Sequence, residues 1–150
     1  MQSIDAATTR RHLPLAALID ALRAMFIAGC EVPLRSVHPV GDAASGGTLL
    51  LMPAWRAGAR LGIKTVMVCP GNGERGLPGL HSTYLLFDAT TGVPLAQLDG
   101  DEITSRRTAA AAALAASYLA RADARRLAVI GTGRVAQLLA EAMQIGRAHV

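Results

Sequence analysis

The chain has 150 residues, 51% hydrophobic, 17% charged and 3% aromatic, and fifteen basic against eleven acidic side chains give a formal charge of +4. A chain of this size buries roughly 68 to 70% of its unfolded surface, which excludes a disordered polypeptide and removes any need for disulfides or a structural metal. It leaves room for one domain or slightly more.

The arginines are scattered, and the few aromatics (Trp55, Tyr84, Tyr118, Phe26, Phe87) are not interleaved with them, so no nucleic-acid partner is expected. Cys30 and Cys69 stand far apart, with no CxxC and no Cys/His cluster at metal-ligand spacing. Both are expected to be buried, reduced thiols, and no metal is expected. Acid and base precede any apolar run at the N-terminus, and no apolar stretch reaches the roughly 18 to 20 residues of a membrane span. A cytoplasmic protein with no membrane contact is the expectation.

Residues 3–12 read as a short helix with Ser3 as its N-cap. Pro14 then suits a first helical position, and Leu15, Leu18, Ile19, Leu22, Met25 and Phe26 recur at helical spacing until Gly29. An extended stretch, Val32 to Val40, leads into the loop GDAASGG. Four strand-like runs follow: Thr48 to Pro53, Leu61 to Val68, His81 to Phe87 and Pro94 to Leu98. AWRAGAR and DATTG are short enough for hairpins, whereas CPGNGERGLPG is a loop of the kind that lines sites. A mostly antiparallel sheet is expected. Thr104 or Ser105 can cap a long alanine-rich helix running to Ala122, and its small side chains allow another element to approach closely.

From Arg126 the pattern changes to a short apolar strand, a glycine turn and a helix carrying Leu138, Leu139 and Ala142. Gly131-Thr132-Gly133-Arg134-Val135-Ala136 matches G-x-G-x-x-G/A. In such a turn the first glycine permits the tight bend, the second admits a pyrophosphate against the backbone, and helix N–H groups face the phosphates. The second strand and the acidic residue expected about 20 residues beyond the glycines are not reached, so the sequence reads as a fragment. Residues 145–150, IGRAHV, are what ATCGGAAGAGCACACGTC encodes, a common sequencing-adapter stretch, and are set apart as an assembly artefact.

Four cations and one histidine stand out amid apolar or glycine-rich sequence. Lys64 lies mid-strand in LGIKTVMV, where alternation puts it with Gly62, Val66 and Val68 rather than with Ile63, Thr65 and Met67. Arg106 and Arg107 open the alanine-rich helix against its macrodipole, so at least one needs an anionic partner, with Asp101 or Glu102 at hand. Arg35, in VPLRSVHP, and His81, at the start of a strand, read by default as surface or packing residues.

The succession VPLRSVHP, GTLLLMPAW, LGIKTV, PGNGERGLPGLHSTYLLFDATTGVPLAQLDG, ITSRRTAAAAALAASYLA and LAVIGTGRVA resembles the ornithine cyclodeaminase/mu-crystallin family from near residue 3 to about residue 144. The resemblance implies an α/β protein. Residues 1–125 would form an α+β substrate and dimerisation domain, incomplete without a C-terminal return, and residues 126–144 the truncated start of a Rossmann NAD(P)-binding domain. Arg35, Lys64 and Arg107 match the cations that hold the substrate carboxylate, with His81 in the block around the pocket. Arg107, Gly131, Gly133, Arg134 and Val135 match the positions beside NAD or NADP.

The family's catalytic Asp would lie beyond the last residue, so no catalytic residue is assigned. Ornithine-deaminating members carry a Glu where this chain has Leu50, and the loop between Arg35 and Met52 looks longer here. The wording LLLMPAW and GLHSTYLLFD is nearer to bacterial ketimine reductases, which reduce pyrroline-2-carboxylate and piperideine-2-carboxylate. The implied partners are a small cyclic imino or amino acid and, at full length, a second copy in a homodimer. Ornithine cyclodeaminase and a non-enzymatic, mu-crystallin-like binder of cofactor and small ligands are the alternatives.

Overall fold

The computed structural model describes residues 1–42 and 46–147. The centre of the GDAASGG loop and the last three residues of IGRAHV therefore lie outside the described residues. The chain divides into two compact units, the first formed by Met1–Thr9 and Cys30–Asp101, the second by Arg10–Gly29 and Glu102–Val150.

The first unit is built on one sheet of six strands: β1 (Gln2–Ile4), β2 (Ser36–Val40), β3 (Gly47–Arg56), β4 (Arg60–Val68), β5 (Leu80–Asp88) and β6 (Pro94–Asp99). Their order is β1-β6-β5-β4-β3-β2. Only β1 and β6 run parallel, so the sheet is mostly antiparallel, as expected.

The central strands overrun their expected ends. β3 continues past Pro53 to Arg56 because β2 stops opposite Leu51. Beyond that point β3 is laddered only to β4 until Trp55 meets Glu31 in an isolated bridge, and a residue without an N–H is tolerated where one side is open. The β5–β6 hairpin is tied by Asp88, whose Oδ1 accepts from the backbone N–H groups of Thr90 and Thr91, both at 2.9 Å. Those bonds hold its carboxyl below the usual carboxylate range.

Two expectations at the N-terminus are corrected. Ser3 does not cap a helix but lies in β1, opposite Gln97. The cap of α1 (Ala6–His12) is Asp5, whose Oδ1 accepts from the Thr8 N–H at 2.8 Å. Cys30 is exposed rather than buried, since it follows the glycine that ends a helix and opens a stretch exposed through Val40; Cys69 is half-buried, and both are free thiols.

The second unit packs three helices, α2 (Leu15–Ala28), α3 (Gly100–Leu119) and α4 (Arg134–Arg147). α2 ends where Gly29, at φ +76°, donates its N–H to the Met25 carbonyl. The core joins Leu15 and Ile19 of α2, Ala109, Ala110, Ala113 and Leu114 of α3, and Ala142 of α4, with Leu138, Leu139 and Met143 against it. The alanines of α3 are fully buried in this core, while the close backbone approach among the three helices is between α2 and α4 rather than at the α3 stripe as its composition suggested.

α3 starts at Gly100, about one turn before Thr104. A Cβ at Gly100 would lie 2.6 Å from the Ser82 carbonyl carbon, and Ser82 Oγ donates to Asp101 Oδ1 at 2.7 Å. The helix start is thus fixed by a close approach to β5 rather than by a hydroxyl cap.

The strand expected from Arg126 is not formed: Leu127 is 51% and Ile130 fully exposed, and no described strand pairs with them. An extended segment closes no hydrogen bonds within itself, so an apolar run meant for a covered sheet gains nothing without a neighbour. The helix beyond the glycines forms regardless, because its bonds are its own.

Candidate functional site

On the first unit's sheet, Met52 lies opposite Lys64, Lys64 opposite Tyr84, and Tyr84 opposite Leu98. Side chains directly across a ladder share a face. Ser36, the first residue of β2, faces Leu51. Arg35 is the residue immediately before β2 and lies outside the ladder, which ends with Ser36 against Leu51, one position short of Met52. Arg35 is exposed and Lys64 half-buried.

The face expected for Lys64 is the one observed. Gly62 and Val66 share it and are buried, Val66 being 4% exposed. Leu50, opposite Val66, lies on the same face, so the position where deaminating relatives are expected to carry a carboxylate is apolar at the site itself. His81 is exposed and pairs with Met67, which turns it to the other face of the sheet, away from Lys64. The sheet sets Lys64 beside Met52 and Tyr84 and turns His81 to its other face, while Arg35 lies just outside the ladder before β2.

Tyr84 is the residue that sequence reasoning passed over. Its hydroxyl and ring lie on Gly62: a Cβ there would come 1.8 Å from the phenol oxygen and 2.4 Å from Cζ. Burial pushes the phenol pKa up, so the hydroxyl stays protonated at neutral pH. A glycine diagonal to a tyrosine on the next strand is the signal that could have found the pair, once the register is known.

In the second unit, the glycine loop leads directly into α4. Gly131 has φ +109°, a conformation that side chains rarely adopt, and the space beside Gly131 and Gly133 is open. Gln137 braces the loop by donating from Nε2 to the Thr132 carbonyl at 3.1 Å. Bare backbone, open space and the N–H groups of a helix start fit the diphosphate of a dinucleotide. Arg134 and Val135, the first residues of α4, stand at that start.

A hollow of about 370 Å³ in the same unit is lined by Arg10, Glu102, Ser105, Arg106, Arg134, Gln137 and Leu138. Arg10 grips Glu102 with both nitrogens of its fork, Nη2 to Oε1 at 2.5 Å and Nε to Oε2 at 3.3 Å. That hydrogen bonding holds the Glu102 carboxyl below its ordinary range, helped by the charges of Arg106 and Arg134. Arg106 is 8% exposed and donates from Nε to the Leu13 carbonyl at 2.6 Å. Arg107 is its opposite, exposed on α3. Of the two arginines that open this helix, the structure makes Arg106 a buried tie and leaves Arg107 for solvent or ligand.

The Ornithine cyclodeaminase/mu-crystallin family model matches residues 6–148. The chain belongs to that family. It is 42% identical over 143 residues to the Delta(1)-pyrroline-2-carboxylate/Delta(1)-piperideine-2-carboxylate reductase of Azospirillum brasilense, covering 93% of this chain and 45% of the relative. The solved Delta(1)-pyrroline-2-carboxylate reductase of Thermococcus litoralis, in complex with NADH and L-proline, superposes with a TM-score of 0.85 at 30% identity, covering 98% of this chain and 46% of that one. A lysine cyclodeaminase, solved for its recognition of L-lysine, L-ornithine and L-2,4-diamino butyric acid, gives 0.80 at 30% identity, with 97% and 46% covered. The chain spans a little under half the length of these relatives. Among the described residues no helix is long and apolar enough to cross a membrane, and no group of three or more His, Cys, Asp or Glu could hold a metal ion.

Proposed function

We propose that the intact protein is an NAD(P)H-dependent reductase of a small cyclic ketimine carboxylate such as pyrroline-2-carboxylate or piperideine-2-carboxylate. The observation that carries this reading is Lys64 set on a sheet face made apolar by Leu50, Met52 and Val66, with Arg35 just before β2, two strands over. A carboxylate needs charge-assisted donors, arginine can grip it bidentately, and the rest of a small ring needs no further charge. Arg35, Lys64 and Arg107 are assigned to the carboxylate. Gly131, Gly133, Arg134 and Val135 would hold the diphosphate of NAD or NADP, and Arg107 would also lie beside the cofactor. The nicotinamide supplies the hydride when bound; the cations orient the imine carbon toward it. His81, on the other face of the sheet, receives no role.

Lys64→Ala in the intact protein is expected to lower kcat/KM for pyrroline-2-carboxylate by about a hundredfold or more while leaving NADH binding within about twofold, since loss of a charged partner costs roughly 3 kcal/mol. Unchanged turnover would overturn the reading. A cyclodeaminase is the second reading, favoured by the fold shared with the lysine cyclodeaminase; Leu50 speaks against it. Ammonia release from ornithine, with no NADH oxidation on pyrroline-2-carboxylate, would establish it. Cofactor binding with no turnover of either compound would instead favour a mu-crystallin-like binder.

The 150 residues alone are expected neither to turn over nor to hold NAD tightly, because the strand beneath the glycine loop is not formed. A dissociation constant in the low micromolar range by calorimetry would contradict that.

A further inference from the structure

We propose that the ring of Tyr84 is the wall on which the substrate's ring packs beside Lys64, and that Gly62 is glycine in order to seat it. This rests on the carboxylate-binding reading given above. Lys64 has four near neighbours on its own face: Gly62 and Val66 along β4, Met52 across to β3 and Tyr84 across to β5. Three of them offer side chains. At the fourth, Gly62, a gap would open on one flank of the lysine, and the phenol closes it.

The geometry is specific. Tyr84 springs from the row of Lys64, yet its hydroxyl end reaches the next row, over Gly62, where a Cβ would lie 1.8 Å from Oη, 2.4 Å from Cζ and 3.1 Å from Cε1. The ring is therefore laid over Gly62 of β4, one row from Lys64, and any side chain at position 62 would evict it. An aromatic ring from the residue opposite Lys64, with Leu50, Met52 and Val66 on the same face, suits one ligand class: a carboxylate whose remaining atoms form a compact ring. Burial keeps the phenol uncharged, so no second negative charge confronts the carboxylate.

The test uses two carboxylates on the intact protein, pyrrole-2-carboxylate with a flat ring and acetate with none, each titrated calorimetrically. Tyr84→Val is expected to weaken pyrrole-2-carboxylate about tenfold and acetate less than twofold. Gly62→Ala should do the same by displacing the ring of an unsubstituted Tyr84, and the double variant should be little worse than either, because both remove one contact. Tyr84→Phe, which keeps the ring, should stay within about threefold and serves as the folding control.

Equal weakening of both carboxylates by Tyr84→Val, no weakening of either, additive losses in the double variant, or a phenylalanine variant as weak as valine would each overturn the proposal. Lys64→Ala separates the two levels of argument. If it leaves both carboxylates bound, the functional reading itself fails; if it weakens both while the tyrosine and glycine variants leave their ratio unchanged, only the wall fails.

Discussion

The sheet of the first unit and the segment from Arg126 to Arg147 show opposite fates for similar apolar runs. Leu61 to Val68 reads as a strand and is one, laddered on both sides by β3 and β5. Leu127 to Ile130 reads as a strand and stays exposed and unpaired, although the helix after it forms. A helix is specified within its own residues, whereas a strand is a relation between segments. The same local pattern therefore yields structure only where its partner is part of the chain.

Amide exchange would sharpen this contrast most. Leu127 to Ile130 should exchange near the unprotected rate, and Lys64 and Val66 slower by on the order of a thousandfold or more, because local opening spans the range from zero to the global stability of about 5 kcal/mol or above. Comparable protection in the two segments would break the comparison. Ile19→Ala, at a fully buried position against the alanine stripe of α3, should cost about 2 to 5 kcal/mol in denaturant unfolding while leaving the amide exchange of β3 to β5 ordered as before. Asp5→Ala removes the cap between β1 and α1 and should cost about 1 kcal/mol.

The smallest effect concerns Glu102. Its carboxyl sits below the ordinary range when folded, so its contribution is complete above the unfolded carboxylate pKa and is lost as pH falls through the depressed folded value. Arg10 is 62% exposed on its side chain, so Arg10→Ala should remove under about 1 kcal/mol at neutral pH and flatten the acid limb of a stability profile. An unchanged acid limb would show that Arg106 and Arg134 suffice.

Legibility followed the same division. Lys64's face came from alternation alone, and the alanine stripe from composition, because both are local. The cap assigned to Ser3 went astray because β1 pairs in parallel with β6, some ninety residues away, and takes Ser3 into a ladder. Cys30 was misjudged because residue type says little where a helix ends in open chain. The cations assigned to the carboxylate stood out one by one in the sequence, but their spacing could not join them into a site, and only the resemblance did so. Tyr84 stayed hidden, since which way a ring leans is decided across strands.

The seat that Gly62 offers Tyr84 also bears on how such sequences can drift. Apart from a change of Tyr84 to phenylalanine, neither position can be exchanged on its own without a clash or a hole, so the pair forms one heritable unit: a homologue that gains a side chain at the first must shrink or redirect the second. The sheet face around Lys64 would then change in jumps, when both positions turn over together, rather than by gradual drift at either one.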